Sequence, residues 1–182
     1  MARVPYLDPA DLAPENRDLL ARNINLFRAL VNSPQATRSF QGLGYYIRFH
    51  SRLDPRLREM AILQVGYVAK SPYEYSHHIK IGREFGVTDE DIRAIEAETR
   101  GEATALPPLE KAVLRAAREL AAQPELPDTT FAELRKGFDN ERLVDLLLTI
   151  SFYAAVVRLL AALQIDVEDD YLPYLREFPL PE

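Results

Sequence analysis

Ser71-Pro72-Tyr73-Glu74-Tyr75-Ser76-His77-His78 opens a helix and holds two of the chain's three histidines. Serine at the N-cap followed by proline at the first helical position is a start signal. Once the segment is helical, Glu74 and His78 lie four residues apart on one face, roughly 5–6 Å apart at Cβ. A carboxylate beside an imidazole is a minimal acid–base unit. The same glutamate also has a structural reading: with Ser71 it spells a capping box, Glu74 at N3 reaching back to the N-cap amide. His78 aligns with Ile81, Gly82 and Phe85, on an apolar side. His77 is turned about 100° away, beside Tyr73, Lys80 and Glu84, and is expected in solvent.

Working outward, Asp54-Pro55 repeats the start signal and predicts a helix over 54–69 carrying Leu57, Met60, Ala61, Leu63 and Val68. Gly86 suits the end of the 71–86 helix, and Thr88-Asp89-Glu90-Asp91 caps the next. A first helix is expected over 15–31, broken by Asn32-Ser33-Pro34, and a second from Gln35 through Phe40, Leu43 and Ile47. After a linker at 99–108 come helices over 109–122, from 128 to Gly137, and 141–164. No strand-like alternation of useful length occurs. The reading is all-α, a helical bundle: an N-terminal arm at 1–14, one domain at 15–165 and an acidic tail at 166–182. The 141–164 helix is apolar nearly all round, so it is expected at the centre or between subunits of a homo-oligomer, a dimer, trimer or hexamer.

Composition excludes several classes. A net charge of −6 argues against nucleic acid as the main partner, since phosphate binding needs a basic face. With no cysteine there is no disulfide, thiolate–metal site or thiol nucleophile. The longest uncharged stretch of the apolar helix, Leu146–Val157, is twelve residues, short for a bilayer. The opening Met1–Pro14 segment is polar and carries three prolines, unlike a secretory leader. A cytoplasmic protein with no membrane partner is expected.

Glu59 lies twelve residues before Ser71 and can join Glu74 and His78 as a third member. Arg48, Arg52, Arg56 and Arg58 surround it in sequence, as surface ion pairs or as anchors for an anionic substrate. Two carboxylates and one imidazole would also suit zinc or manganese. Paired histidine or cysteine ligands are missing, so no metal is expected. With no Gly-rich phosphate loop, nucleophile elbow or dinucleotide fingerprint, no cofactor is expected either.

The pattern Ser71-x-Tyr73-Glu74-x-x-x-His78-x-x-x-Gly82-x-x-x-Gly86, with Glu59 before it, resembles the signature helix of the carboxymuconolactone decarboxylase / alkylhydroperoxidase D-like family. The redox branch of that family reads Cys-x-x-Cys-x-x-x-His. The resemblance is strongest over 54–95. The last long helix, with Tyr153 and Leu159-Leu160-x-Ala162-Leu163, is similar to that of members lacking the cysteines. Ser71 and Glu74 occupy the two cysteine positions, and neither can attack or resolve a peroxide as thiols do.

The resemblance therefore implies the family's helical fold and its proton relay without its thiol peroxidase chemistry. The catalytic candidates are His78, Glu74 and Glu59; Tyr73, Ser71 and Arg58 are candidates for holding a small-molecule substrate. The implied activity is decarboxylation, isomerisation or hydrolysis of a small organic acid or lactone. The competing expectation is a non-catalytic oligomeric scaffold or small-molecule binding protein that lost the thiols. Convergence of the three groups on one cavity separates the two.

Overall fold

A computed structural model describes residues 2–181, and every regular element among them is helical. Two 3₁₀ turns, Pro9–Asp11 and Pro14–Leu20, precede α1 (Asn25–Leu30) and α2 (Pro34–Phe49). The body comprises α3 (Pro55–Val68), α4 (Pro72–Glu84), α5 (Asp89–Thr99), α6 (Pro108–Ala122), α7 (Asp128–Gly137) and α8 (Asn140–Leu163). A 3₁₀ turn at Asp169–Tyr171 leads into α9 (Leu172–Glu177).

Local chemistry sets the boundaries. Asp54 accepts from the Leu57 amide at 3.0 Å, and Pro55 starts α3 where its missing N–H costs nothing. Thr88 and Asp91 form the reciprocal capping box of α5. Gly86 stops α4 with φ of +91°, a backbone region that side chains disfavour.

The hub of the bundle is α3, which packs against α4, α5, α6 and α8. Leu57 through Tyr67 are all buried. The most apolar helix, α8, instead covers one side of the hub. It buries Leu146, Ile150 and Ala154 and leaves Val144 62% exposed. Its 24 residues are long and apolar enough to cross a bilayer by composition, a length the twelve-residue uncharged stretch understates. Here that length packs against α3, α4 and α6.

One other expectation changes. The predicted 15–31 helix is interrupted between Leu20 and Asn25, with Ile24 extended at ψ of 154°. The freed amides of the break bond elsewhere: Asn25 N–H donates to Glu168 at 2.7 Å and Leu26 N–H to the Tyr73 hydroxyl at 3.1 Å. The acidic tail at 166–182 carries α9, which packs on α4, and its Phe178 is buried in the main core.

Close approach of α3 and α4 depends on Gly66. A Cβ there would lie 3.2 Å from the Tyr75 amide nitrogen, a backbone atom that cannot swing aside. Gly66→Val is expected to destabilise the fold by about 1–3 kcal/mol, as overpacking does, read as a lower urea midpoint with unchanged slope.

Candidate active site

The α3–α4 pairing sets Glu59 against His78. Their contact is short, Glu59 Oε2 to His78 Nδ1 at 2.6 Å. Gly82, one turn on, lets Val87 close against α4: a Cβ there would come within 3.2 Å of Val87 Cγ2, whereas its 3.6 Å approach to Glu59 Cβ would be ordinary contact. The other oxygen of Glu59 accepts from Arg58 Nε at 2.9 Å. Arg58 in turn donates to the Arg48 carbonyl at 2.9 Å and lies over the Phe85 ring at 4.5 Å. Arg58 and Glu59 are 2% and 1% exposed, so this charge pair belongs to the interior. Burial makes the pair costly unless its polar atoms are engaged, and here the Arg48 carbonyl and His78 engage most of them, while Arg58 Nη2 completes no hydrogen bond.

On its other side His78 meets Glu74, with Nε2 2.9 Å from Oε1. The two sit one turn apart on α4, and the oxygen lies out of line with the ring N–H, so that buried oxygen completes no hydrogen bond. The capping-box reading of Glu74 is overturned: the Ser71 amide bonds to the Gly66 carbonyl at 2.9 Å, and the Ser71 side chain caps nothing. Glu74 is left for His78 and for the space beyond it.

The electrostatics follow from burial against charge. Burial opposes a positive His78, but Glu74 and Glu59 outweigh it and push its pKa up to about 9. Burial likewise opposes ionisation of Glu59, and the neighbouring His78 and Arg58 charges overcome it and lower its pKa. The resting site is therefore an imidazolium held between two glutamates.

A cavity of about 300 Å³ opens on this group, and Glu74, His78, Tyr73 and Tyr153 are in its wall. Aromatic rings supply much of the remaining lining, with Phe27, Phe40, Phe49 and Phe152 among them. The break after Leu20 contributes Ala21, Arg22 and Ile24, and α2 contributes Arg48. Three of the residues expected from sequence, His78, Glu74 and Tyr73, thus share the cavity. Glu59 stands behind His78. Arg58 and Ser71 are outside the lining, so neither is placed to touch a ligand there; Arg58 is held by Glu59, and Ser71 marks the start of α4.

His77 is not solvated. It is 3% exposed and sandwiched between Tyr73 and Tyr171, with ring centroids 4.2 and 3.5 Å away. Its Nε2 lies 2.8 Å from Glu168 Oε2. Burial lowers the His77 pKa, and Glu168 only partly offsets this. Glu168 also accepts from the Tyr73 hydroxyl at 3.1 Å and from the Asn25 amide, fastening the tail and α1 to the cavity wall. Glu168→Ala leaves those buried donors unpaired. A loss of about 1–3 kcal/mol is expected in urea unfolding.

Sequence reasoning missed His77, Arg22 and Tyr153 as cavity residues. Tyr153 sits in the apolar run of α8, where nothing in the periodicity distinguishes a core ring from one facing a cavity. Among the described residues no group of three or more His, Asp or Glu is arranged to hold a metal ion; each nitrogen of His78 faces a carboxylate instead.

Residues 34–119 match the carboxymuconolactone decarboxylase family. No curated protein matches the chain. Solved structures share the fold over nearly the whole length. A peroxidase-related protein with an alkylhydroperoxidase AhpD core from Ralstonia eutropha aligns with a TM-score of 0.79 at 22% identity, over 96% of this chain and 95% of its own. The debrominase Bmp8, as a cysteine-to-alanine variant in complex with 2,3,4-tribromopyrrole, aligns with a TM-score of 0.82 at 20% identity, over 98% of each chain. A peroxidase-related protein from Silicibacter sp. aligns with a TM-score of 0.72 at 19% identity, over 93% of this chain and 92% of its own. At these identities the likeness speaks to fold alone.

Proposed function

With residues 34–119 matching the carboxymuconolactone decarboxylase family and the whole chain in the helical fold of AhpD-like proteins, we propose that it is a cofactor-independent acid/base enzyme. Its substrate is a small unsaturated organic acid or lactone, and its reaction is decarboxylation, isomerisation or hydrolysis. The observation that carries this is the Glu59–His78–Glu74 set, which ends on a buried glutamate oxygen without a hydrogen bond in the wall of an aromatic cavity.

In this reading His78, kept cationic by its two carboxylates, delivers a proton to carbon or to a leaving oxygen. Glu74 removes or relays one, and Glu59 fixes the ring and its charge. Stacking on the aromatic walls selects flat ligands, and Arg48 and Arg22 attract a carboxylate. A flat heteroaromatic in the debrominase Bmp8 complex is in keeping with such a cavity in this fold. The chemistry of this chain cannot be thiol-based, since it has no cysteine. That removes a thiol peroxidase reaction. We further propose that the protein acts in the cytoplasm as a homo-oligomer, which would cover exposed apolar groups such as Val144, Tyr45 and Phe49.

The competing reading, a binding protein without catalysis, draws on the engagement of both His78 nitrogens. A panel of carboxylated lactones and β-keto acids, followed by CO₂ release and product chromatography, separates the two. Conversion by the native chain that is lost on His78→Gln supports the enzyme. Tight binding with no conversion of any panel member supports the binding protein.

A further inference from the structure

We infer that Tyr153 is a catalytic residue, the hydrogen-bond donor to the substrate oxygen on which negative charge develops; this rests on the acid/base reading above. α8 carries Tyr153 into the cavity wall beside the two groups that move protons. Its ring meets His78 edge to face, with centroids 5.0 Å apart and planes at 80°. Phe152 braces it from the next position, centroids 5.4 Å apart at 84°. Two neighbouring rings therefore fix where the hydroxyl points.

That hydroxyl makes no hydrogen bond with any described residue. The residue is half-buried, and its hydroxyl is not among the sealed side-chain atoms that lack a partner, so it is open to the cavity. Tyr73, in the same wall, has two: it donates to Glu168 and accepts from the Leu26 amide. A fixed donor without a protein acceptor, facing a cavity and next to an acid–base pair, is what an oxyanion-stabilising group requires.

Its charge state fits the role. Burial is the main influence, with Glu74 and Glu59 acting in the same direction, and together they raise its pKa, so Tyr153 stays a neutral phenol. It is then a donor and not a base, which leaves proton removal to Glu74 and proton delivery to His78. When a C–H bond breaks, the proton goes to Glu74 and the electron pair moves onto the conjugated carbonyl oxygen. When a carboxylate leaves as CO₂, the C–C pair ends on that same oxygen. In both cases Tyr153 keeps its proton and shares it. The ligand class is a flat enol, phenol or enolisable carbonyl compound. Positive potential from Arg48 and Arg22, which carry no ion pair with a described carboxylate, favours the anionic form.

The test compares 4-nitrophenolate with nitrobenzene, a flat neutral probe lacking the oxygen. Both are titrated calorimetrically into the native chain and into Tyr153→Phe, above the ionisation range of the phenol. Tyr153→Phe is expected to weaken phenolate binding about tenfold, as loss of a hydrogen bond to a charged group does, and to leave nitrobenzene binding unchanged. The absorbance shift of the bound phenolate should shrink with it. Equal weakening of both probes would make Tyr153 a packing residue, and unchanged phenolate binding would make it a bystander; either result overturns the assignment while the cavity stands. Failure of both probes to bind the native chain would remove the cavity as a ligand site, and the proposal with it.

Discussion

Replacing His78 by glutamine is expected to lower turnover roughly 10²–10⁴-fold, the usual range for a lost general acid or base. Glutamine keeps a donor near Glu59 and can hold the shape of the site. It cannot carry or release a proton near neutral pH, so the loss isolates proton transfer from packing. The pH dependence gives the sign. His78 is an imidazolium below a pKa near 9, so an enzyme using it as the acid loses kcat/KM as pH climbs through that value. Stability moves in the same sense. A histidine at 6.5 when unfolded and about 9 when folded binds its proton more tightly in the native state. Its contribution is complete below 6.5 and disappears as pH rises through 9. In His78→Gln both the alkaline limb of activity and this slope in stability should vanish. A variant retaining native turnover and the native alkaline limb would show that His78 does no proton chemistry.

Much of the fold was legible because its signals are local. Asp54-Pro55, Thr88 with Asp91, and Gly86 act within one turn of themselves, and each ends or begins a helix where the sequence placed it. The Glu74/His78 proximity was legible for the same reason, since α-helical geometry alone brings i and i+4 together. What the sequence left ambiguous was the partner Glu74 would choose. The capping box and the histidine compete for one carboxylate. The cap lost because the Ser71 amide was already taken by Gly66 across the α3–α4 turn.

The misread positions depend on distant segments. His77 is buried by Tyr171 and Glu168, the latter 91 positions away, so helical phase on α4 said nothing about its exposure. The break between Leu20 and Asn25 is held by amide bonds to Glu168 and Tyr73, a tertiary override of an otherwise regular helical pattern. The central place of α3 was not legible in the sequence because α3 carries Arg58 and Glu59. Apolar periodicity treats them as surface residues, yet inside the protein they pair with each other and Glu59 also meets His78, a partner 19 positions away.

Glu59 is both a core residue and the anchor of the candidate acid. It is 1% exposed and lies between the Arg58 guanidinium and the His78 imidazolium. Glu59→Leu removes the anion and leaves two buried cations facing each other, a change expected to cost about 3–5 kcal/mol. Glu59→Gln keeps the shape and one hydrogen bond, so its cost should be smaller. The pH dependence distinguishes a lost charge from a lost contact. The Glu59 pKa is lowered from 4.5 in the folded chain, so its contribution is present above 4.5 and lost as pH falls through its folded value. The His78 contribution is present below 6.5 and lost through about 9. The difference between native chain and Glu59→Gln in urea unfolding should therefore be greatest between 4.5 and 6.5 and shrink on either side. On the alkaline side it should not reach zero, because Arg58 stays charged and has lost its partner. The variant's remaining activity should also fall off at lower pH than the native enzyme's, because its imidazolium is held by Glu74 alone. A flat difference across this range, with an unmoved alkaline limb, would reduce Glu59 to a packing residue and leave His78 without the charge that tunes it.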